Sequence, residues 1–597
     1  MNMKSVKNNA HRSGFDNSRR VCFTAKVGEY LPVHWMPVLP GDDIDINLSS
    51  FGRTAPLQTA SMARVREYYD VYFVPYRLIW DKFTDWITQT ESPTMARDIL
   101  SSTRAFPTMP YFTSTDLKNM LAYYEANKDK PSSDYVDDGF INVYDSTKKL
   151  LSYLGYYGVS QLNKNIALNP FPILAYQKIY QDYGRFSQWE DTAPWTYNLD
   201  YVQDPNQLHL NIASLTPGTS ATQQIVAYSK NMFRMQYCNY DKDYFLGLLP
   251  SAQFGDESIV SVLGPGGVMT ANSVSGLLNP SMTVESLSAA NQGVPLYMRG
   301  SDRVLSGLTS TTSLSTQMEF DAGDDNTINF SSFTSGGDFG VLALRRAECL
   351  QKWKEITLSG DTDYVSQLEK HWNVSASKSM SNHCQYLGGT ASNLDISEVL
   401  NTNLQSGGIA DIAGKGILTN NGHIKFKNPN NDYGILMVMY HAKPIVEWKG
   451  SEILNRHLLD LHQTDFPIPE FDNIGMEQVF GYEMDSQSLS TVGNFSPAVA
   501  GYAPRYASYK TSYDICLGEF ETSLQSWILP FSLRYDGNWA IPDPKGDSYL
   551  TYLAFKVRPE VVDNLWAVNA KLADHFYNSL YLDIKSVRNL SRDGLPY

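Results

Sequence analysis

REYYDVYFVPYRLIWDKFTDWI, Arg66 to Ile87, restricts the fold more than any other stretch of the chain. Its first half alternates as a strand does, with Tyr69, Val71 and Phe73 on one face and Tyr68, Tyr72, Val74 and Tyr76 on the other. A half-buried strand leaves one face to water and polar side chains. Here large side chains stand on both faces, so both need a cover, from this chain or from a neighbouring molecule. Pro75 ends the strand. Trp80, Phe83 and Ile87 follow at helical spacing, with Trp86 beside them, and make the nearest intramolecular cover.

The rest of the chain reads as a β-core interrupted by long excursions. Val21 to Asn47 gives strand, turn, strand, broken by Pro32, Pro37, Pro40 and Gly41. Residues 110–190 carry apolar side chains three and four apart in LKNMLAYYEA, TKKLLSYLGYYG and FPILAYQKIYQDYGRFSQWE, which predicts helices. GVLALRRAECLQKWKEITLSG reads as one helix, striped by Leu342, Leu344, Ala347, Leu350 and Trp353 and stopped by Gly360. GHIKFKNPNNDYGILMVMYHAKPIVEW reads as a hairpin. Its first arm sets Ile424 and Phe426 against Lys425 and Lys427; its second, Ile435 to Tyr440, is apolar on both sides. Strand-like text returns at Asp514–Phe520, Ser526–Leu533 and Leu550–Val557. Residues 261–340 stand apart, with no Lys, no Trp and abundant Ser, Thr, Gly and Asn. A segment of that length inside a compact fold is an inserted, surface-displayed element or disordered.

Charge and cysteines exclude several classes. A formal charge of −15 argues against a protein that neutralises phosphate over its whole surface, while leaving room for a local basic strip. Residues 1–20 hold Lys4, Lys7, Arg12, Arg19 and Arg20 against the single acid Asp16, and read as a basic arm or a frayed terminus. The five cysteines are scattered without CxxC spacing, so neither a disulfide framework nor a zinc site is indicated. There is no secretory h-region and no apolar run long enough to span a membrane. With charged residues at 19% and 38 tyrosines, the composition suits a chain that shares much of its surface with neighbours.

No catalytic signature survives inspection of its spacing. HLLDLH places His457 and His462 five apart, off the geometry of two zinc ligands on one helix turn, and fits capping or surface hydrogen bonding. AGKG at 413–416 lacks the upstream glycine and the Ser/Thr of a phosphate loop, and GPGGVM at 264–269 lacks a βαβ context. His383 and Cys384 are adjacent, a poor arrangement for base and nucleophile. Asp42/Asp43, Asp137/Asp138 and Asp324/Asp325 read as solvated acidic turns or weak cation sites. No cofactor, metal site or enzyme activity is expected.

FTAKVGEYLPV, VLPGDDIDI and FGRTAPLQTASMARVREYYDVYFVPYRLIW together resemble the start of the major capsid protein of microviruses, in the gokushovirus-like and Bacteroidetes-prophage branches. The likeness continues in order through YQKIYQDYGRFSQWE, DYFLGLLPSAQFG, GHIKFKNPNNDYGILMVMYHAKPI and GYAPRYASYKTSYD to VRNLSRDGLPY, leaving out 261–340.

That resemblance implies a mainly β protein: a single eight-stranded antiparallel jelly-roll barrel with long, partly helical insertions between strands. The implied layout is a basic arm at 1–20 and one capsid domain at 21–597. The domain would contain a partly helical insertion at 80–220, a variable surface insertion at 261–340 forming a threefold protrusion, and a C-terminal arm at 580–597. Sixty copies would form a T=1 icosahedral shell around circular single-stranded DNA. It would be assembled in the bacterial host cytoplasm alongside other virion proteins such as a DNA pilot protein, with 261–340 exposed to a host surface receptor. Lys4, Lys7, Arg12, Arg19, Arg20, Lys585, Arg588 and Arg592 are the candidates for genome contact on the inner face, or for a subunit–subunit arm. Tyr68, Tyr72 and Tyr76 are the candidate subunit interface. Two other readings are a carbohydrate-binding or -cleaving β-sandwich protein of a gut bacterium and a receptor-binding spike. The first requires an export signal; the second predicts small cyclic oligomers.

Overall fold

The computed structural model describes residues 12–88, 109–127, 136–137, 141–160, 164–202, 210, 232–255, 296–298, 305–307, 316–318, 341–359, 364–373, 382–400, 412–428, 432–472, 474–485, 499–531, 540–542, 548–550, 552–570 and 572–592. Its main body comprises residues 1–255 and 354–597, and residues 256–353 form a second compact unit. In that second unit Leu296–Met298, Leu305–Gly307 and Thr316–Met318 pair into a small antiparallel sheet. The rest of the 261–340 segment lies outside the described residues.

The main body is built on two antiparallel sheets. Its strands are β1 (Ser13–Asp16), β2 (Arg19–Ala25), β3 (Glu29–Val38), β4 (Asp43–Thr54), β5 (Arg64–Pro75), β6 (Gln236–Tyr237), β7 (Gln385–Asn393), β8 (Asp395–Leu400), β9 (Ile412–Lys427), β10 (Gly434–Ile445) and β11 (Phe576–Arg588). The six-stranded sheet runs β1-β11-β4-β9-β8, with β2 also on β11; the five-stranded sheet runs β6-β3-β10-β5-β7. Among the described residues eight strands are seven residues or longer: β2, β3, β4, β5, β7, β9, β10 and β11. Taken in chain order, the first pairs the eighth, the eighth the third and the third the sixth. In the other sheet the second pairs the seventh, the seventh the fourth and the fourth the fifth.

The sheets face each other through side chains that the period-2 pattern directs inward. Phe23 of β2 meets Tyr440 of β10 edge-on at 5.0 Å, and Phe73 of β5 meets Phe426 of β9 at 5.1 Å. Ile44, Ile46 and Leu48 from β4 and Leu580, Leu582 and Ile584 from β11 fill the space between, each at 2% exposure or less. Burying side chains of this size contributes about 1.5–3 kcal/mol each. At Gly422 a Cβ would stand 1.9 Å from Thr390 Cγ2, so only glycine lets β9 and β7 come this close. Gly41, at φ +84°, makes the β3–β4 turn, and the buried Asp42 carboxylate accepts from Leu39 N at 2.9 Å.

The structure changes the reading of the 423–448 segment. β9 and β10 do not pair with each other; β9 joins β4 and β8, while β10 joins β3 and β5. The connection is therefore a corner between sheets, not a hairpin. The two arms differ in character for that reason: β9 alternates because one face meets water, and β10 is buried almost throughout because both of its faces are covered.

The outer face of the five-stranded sheet lies under helices, as 110–190 predicts: α2 (Ser114–Asn127), α3 (Val143–Leu154) and α4 (Phe171–Ile179). Every residue of α4 is buried, and Tyr176 OH donates to Tyr30 O at 2.9 Å. After Pro75 comes a 3-10 turn, Tyr76–Leu78, and then α1 (Phe83–Thr88), so Trp80 precedes the helix although it is buried as expected. The 341–359 helix, α5, forms as one piece, but Leu344, Leu350 and Trp353 on its expected core stripe are about half exposed. The strand-like text after 514 yields only two- and three-residue strands among 3-10 turns. The long C-terminal strand is instead β11, and residues 580–588, expected within an arm, lie in the middle of the six-stranded sheet.

Candidate nucleic-acid interface

The outer face of the six-stranded sheet is open to solvent. Strand register fixes which side chains share that face, because paired residues point the same way. Tyr577 pairs with Thr24 and Arg53; Ser579 with Cys22 and Phe51; Tyr581 with Arg20 and Ser49. β9 extends these rows with Ile417, Thr419 and Asn421. Phe51, Tyr577 and Tyr581 are 45%, 44% and 49% exposed, values that leave their rings free to stack. The Arg53 guanidinium lies 5.6 Å from the Phe51 ring centroid, and Arg20 Nε donates to Ser579 Oγ at 2.9 Å. On β2, β11, β4 and β9 these three rows contain aromatic, basic and neutral side chains; the first row ends on β8 at the exposed Asp395, opposite Ile417.

The next two rows are charged but balanced. Lys585 Nζ lies 2.8 Å from Asp16 Oδ2 and 3.1 Å from Asp583 Oδ1, and His423 Nε2 lies 2.7 Å from Asp45 Oδ1. Hydrogen bonds from Lys585 and Ser18 hold the Asp16 carboxyl well below its ordinary range, and the two aspartates in turn raise Lys585. Aromatic rings beside unopposed guanidinium groups form a surface on which bases stack while cations meet phosphate.

The residues expected to contact the genome are therefore divided. Arg20 lies on this face, opposite Tyr581. Lys585 shares the face but is held by its two aspartates. Arg588 is turned inward, 3.2 Å from buried Asp42 and donating to Pro37 O at 2.8 Å, so it staples a turn. Arg12 is exposed and donates to Gly41 O at 3.3 Å; Arg19 is exposed beside His34 and Trp35; Arg592 is exposed. Lys4 and Lys7 lie outside the described residues. Phe51, Arg53, Tyr577 and Tyr581 were absent from the expected set, although the alternation in SSFGRT and FYNSLYLD carries their outward direction.

Tyr72 and Tyr76, expected at a subunit interface, find their cover within the chain. Tyr72 is 5% exposed, packed against Tyr183 at 5.1 Å and Tyr386 at 5.4 Å, with Tyr30 OH 3.3 Å from its hydroxyl. Tyr76 packs on Phe171 at 4.6 Å and Phe83 at 5.0 Å. Tyr68 is half-buried and stacks on His441 at 4.8 Å. Helical residues cover Tyr76, while Tyr72 and Tyr68 also lean on the neighbouring strands β3, β7 and β10.

The remaining motif residues have structural roles. Burial pushes the Cys384 thiol well above its ordinary range, the opposite of an activated nucleophile. His457 shares a hydrogen bond with Asp460 at 3.0 Å, and His462 N donates to Asp465 at 2.7 Å, as the capping reading expects. No helix among the described residues is long and apolar enough to cross a membrane.

Comparison with known proteins bears on the same question. Residues 4–590 match the family described as Capsid protein (F protein). The chain is 23% identical over 566 residues to Capsid protein VP1 of Chlamydia phage 1, covering 87% of this chain and 86% of that one. It is 22% identical over 539 residues to Capsid protein VP1 of Bdellovibrio phage phiMH2K, covering 87% and 85%. The carbohydrate-binding alternative is not favoured by these similarities.

Proposed function

The chain belongs to the F-protein family of phage capsid proteins, and from that premise we propose how it builds a particle: sixty copies close into a T=1 icosahedral shell around circular single-stranded DNA. It is a major capsid protein and a component of the virion. The family match over residues 4–590 is the observation that carries this reading. The strand order supports treating the two sheets as a single eight-stranded jelly roll, a wedge suited to tiling a closed surface.

In this reading the open face of the six-stranded sheet turns toward the genome. Phe51, Tyr577 and Tyr581 stack bases without regard to sequence, and Arg20 and Arg53 meet phosphate. The confined basic area reconciles genome contact with a net charge of −15, since a local strip suffices. Residues 256–353 form a compact unit of their own, which supports reading 261–340 as a displayed element for attachment to a host receptor. A DNA pilot protein is the further virion partner.

Negative-stain microscopy and sedimentation of the expressed chain test the assembly reading. Uniform closed particles are the expected result. Only monomers or trimers, under every assembly condition, would overturn it.

A further inference from the structure

Between Arg456 and Ile474 the chain runs through three short 3-10 turns, Arg456–Leu459, Gln463–Asp465 and Pro469–Phe471. Its large apolar side chains point outward. Leu458 is 72% exposed, Leu461 80%, Phe466 53% and Ile474 61%, with Leu459 and Phe471 each at 41%. Solvent-facing apolar residues scattered singly need no explanation, but this many within one short segment do.

Polar groups, not a core, hold the segment in place. His457 and Tyr509 both bond Asp460, the tyrosine hydroxyl donating at 2.6 Å. Asp465 accepts from Leu461 N and His462 N. Asp472 takes Lys510 at 2.5 Å, and Arg456 reaches Gln478 O at 3.0 Å and lies 3.6 Å from Glu477. These bonds fix the backbone with the leucines turned away from the body, an arrangement with no benefit to an isolated chain.

We propose that the Leu458–Ile474 strip is a contact surface for a second copy of this chain, resting on the shell-forming reading above. Two observations select that occupant. The first is charge: each copy carries a net −15, so copies repel wherever acids face each other unpaired. Within the strip Asp460, Asp465 and Asp472 are engaged by groups of their own chain, and the exposed Glu470 is the one further acid on an otherwise apolar crest that a like-charged copy can approach. The second is density. Six large apolar side chains, each between 41% and 80% exposed, crowd one short segment, a density that marks an interaction site and suits the apolar centre of a standard interface of about 800 Å² per partner.

The test combines a variant with a measurement on the unaltered chain. Leu458→Ser with Leu461→Ser and Ile474→Ser leaves every polar staple in place. The expected result is a yield of sedimenting particles lowered about tenfold or more, with the soluble subunit's circular dichroism and melting temperature unchanged. Hydroxyl-radical footprinting of the unaltered chain should show Leu458, Leu461 and Phe466 protected in particles and reactive in the soluble subunit, and it decides the matter should the variant misfold. Normal particle yield from a folded variant, or equal labelling in particle and subunit, would overturn the inference and leave the strip facing some other partner. Labelling already low in the soluble subunit would assign the cover to the chain itself and overturn it too. An unaltered chain that never assembles would sink the shell reading, and this contact with it.

Discussion

Lys149 Nζ on α3 lies 2.6 Å from Glu29 Oε2 at the first residue of β3, with Asp574 Oδ2 at 3.1 Å on its other side. Glu29 is 1% exposed and the lysine side chain 16%, so the triad clamps a helix of the covering layer to the junction of both sheets. Burial alone would lower the lysine pKa; the charges of Glu29 and Asp574 outweigh it and raise the value above 10.5. Burial likewise opposes ionisation of Asp574, and Lys149 with Thr24 overcomes it, holding that carboxyl below 3.8.

Lys149→Met is expected to destabilise the subunit by about 3–5 kcal/mol, because it strands buried carboxylate charge. Chemical denaturation near neutral pH measures this. The lysine's contribution is present below pH 10.5 and lost as pH climbs through its raised folded value; that of Asp574 is present above pH 3.8 and lost as pH falls through its lowered one. A variant as stable as the parent would show the clamp to be incidental.

Glu67 lies between the sheets at 1% exposure, with Ser392 Oγ donating to it at 2.9 Å. Burial pushes its pKa from 4.5 up to about 7, only partly offset by the hydroxyls of Ser392, Tyr440 and Ser50. The folded chain thus holds this proton more tightly than the unfolded chain, and its stability falls as pH rises from 4.5 to about 7. Glu67→Gln removes the charge and keeps the shape. It should raise stability by about 1–3 kcal/mol near pH 8 and leave it unchanged near pH 4, in paired urea titrations. An equal effect at both values would exclude ionisation as the cause.

Tyr72→Ala opens a cavity among Tyr30, Tyr183 and Tyr386. The loss should be about 3 kcal/mol of subunit stability, appearing in the unassembled chain. Calorimetry of the soluble subunit reads it directly. Unchanged subunit melting with failed assembly would return Tyr72 to the interface.

On the open sheet face, Phe51→Ala and Tyr581→Ala should each weaken binding of a single-stranded oligonucleotide by about 1–3 kcal/mol. Arg53→Ala should reduce the salt dependence of that binding by about one phosphate contact. Fluorescence anisotropy over a range of salt separates the two effects. Affinities that ignore all three substitutions would place the genome elsewhere.

The local patterns were legible wherever one segment decides its own conformation. The helical spacing in FPILAYQKIYQ and the doubly apolar ILMVMY both found their elements, because periodicity reports burial directly. Pairing was not legible. Nothing within GHIKFKNPNNDYGILMVMY states that its arms belong to different sheets; that depends on β4 and β3, some four hundred residues earlier in sequence. β11 does not stand out in the sequence although FYNSLYLDIKSVR alternates cleanly, because its polar half resembles a solvated tail until β4 is placed beside it. The stacking face was hidden for the same reason: Phe51, Tyr577 and Tyr581 become neighbours only once register is known.

β1 and β2 hold a single register along β11, Ser13 opposite Arg588 and Ala25 opposite Phe576, with Ser18 bridging the gap to Asp583 and Ile584. Chain order and neighbour order are thus opposed: β2 is made long before β11, the strand it pairs with, and β4 waits with it for the same partner. Throughout synthesis both carry unpaired backbone along a sheet edge, the template on which nascent chains misassociate. A chain cut short of Phe576 lacks the strand that joins β2 to β4, so closure of the six-stranded layer depends on a segment made long after the strands it unites.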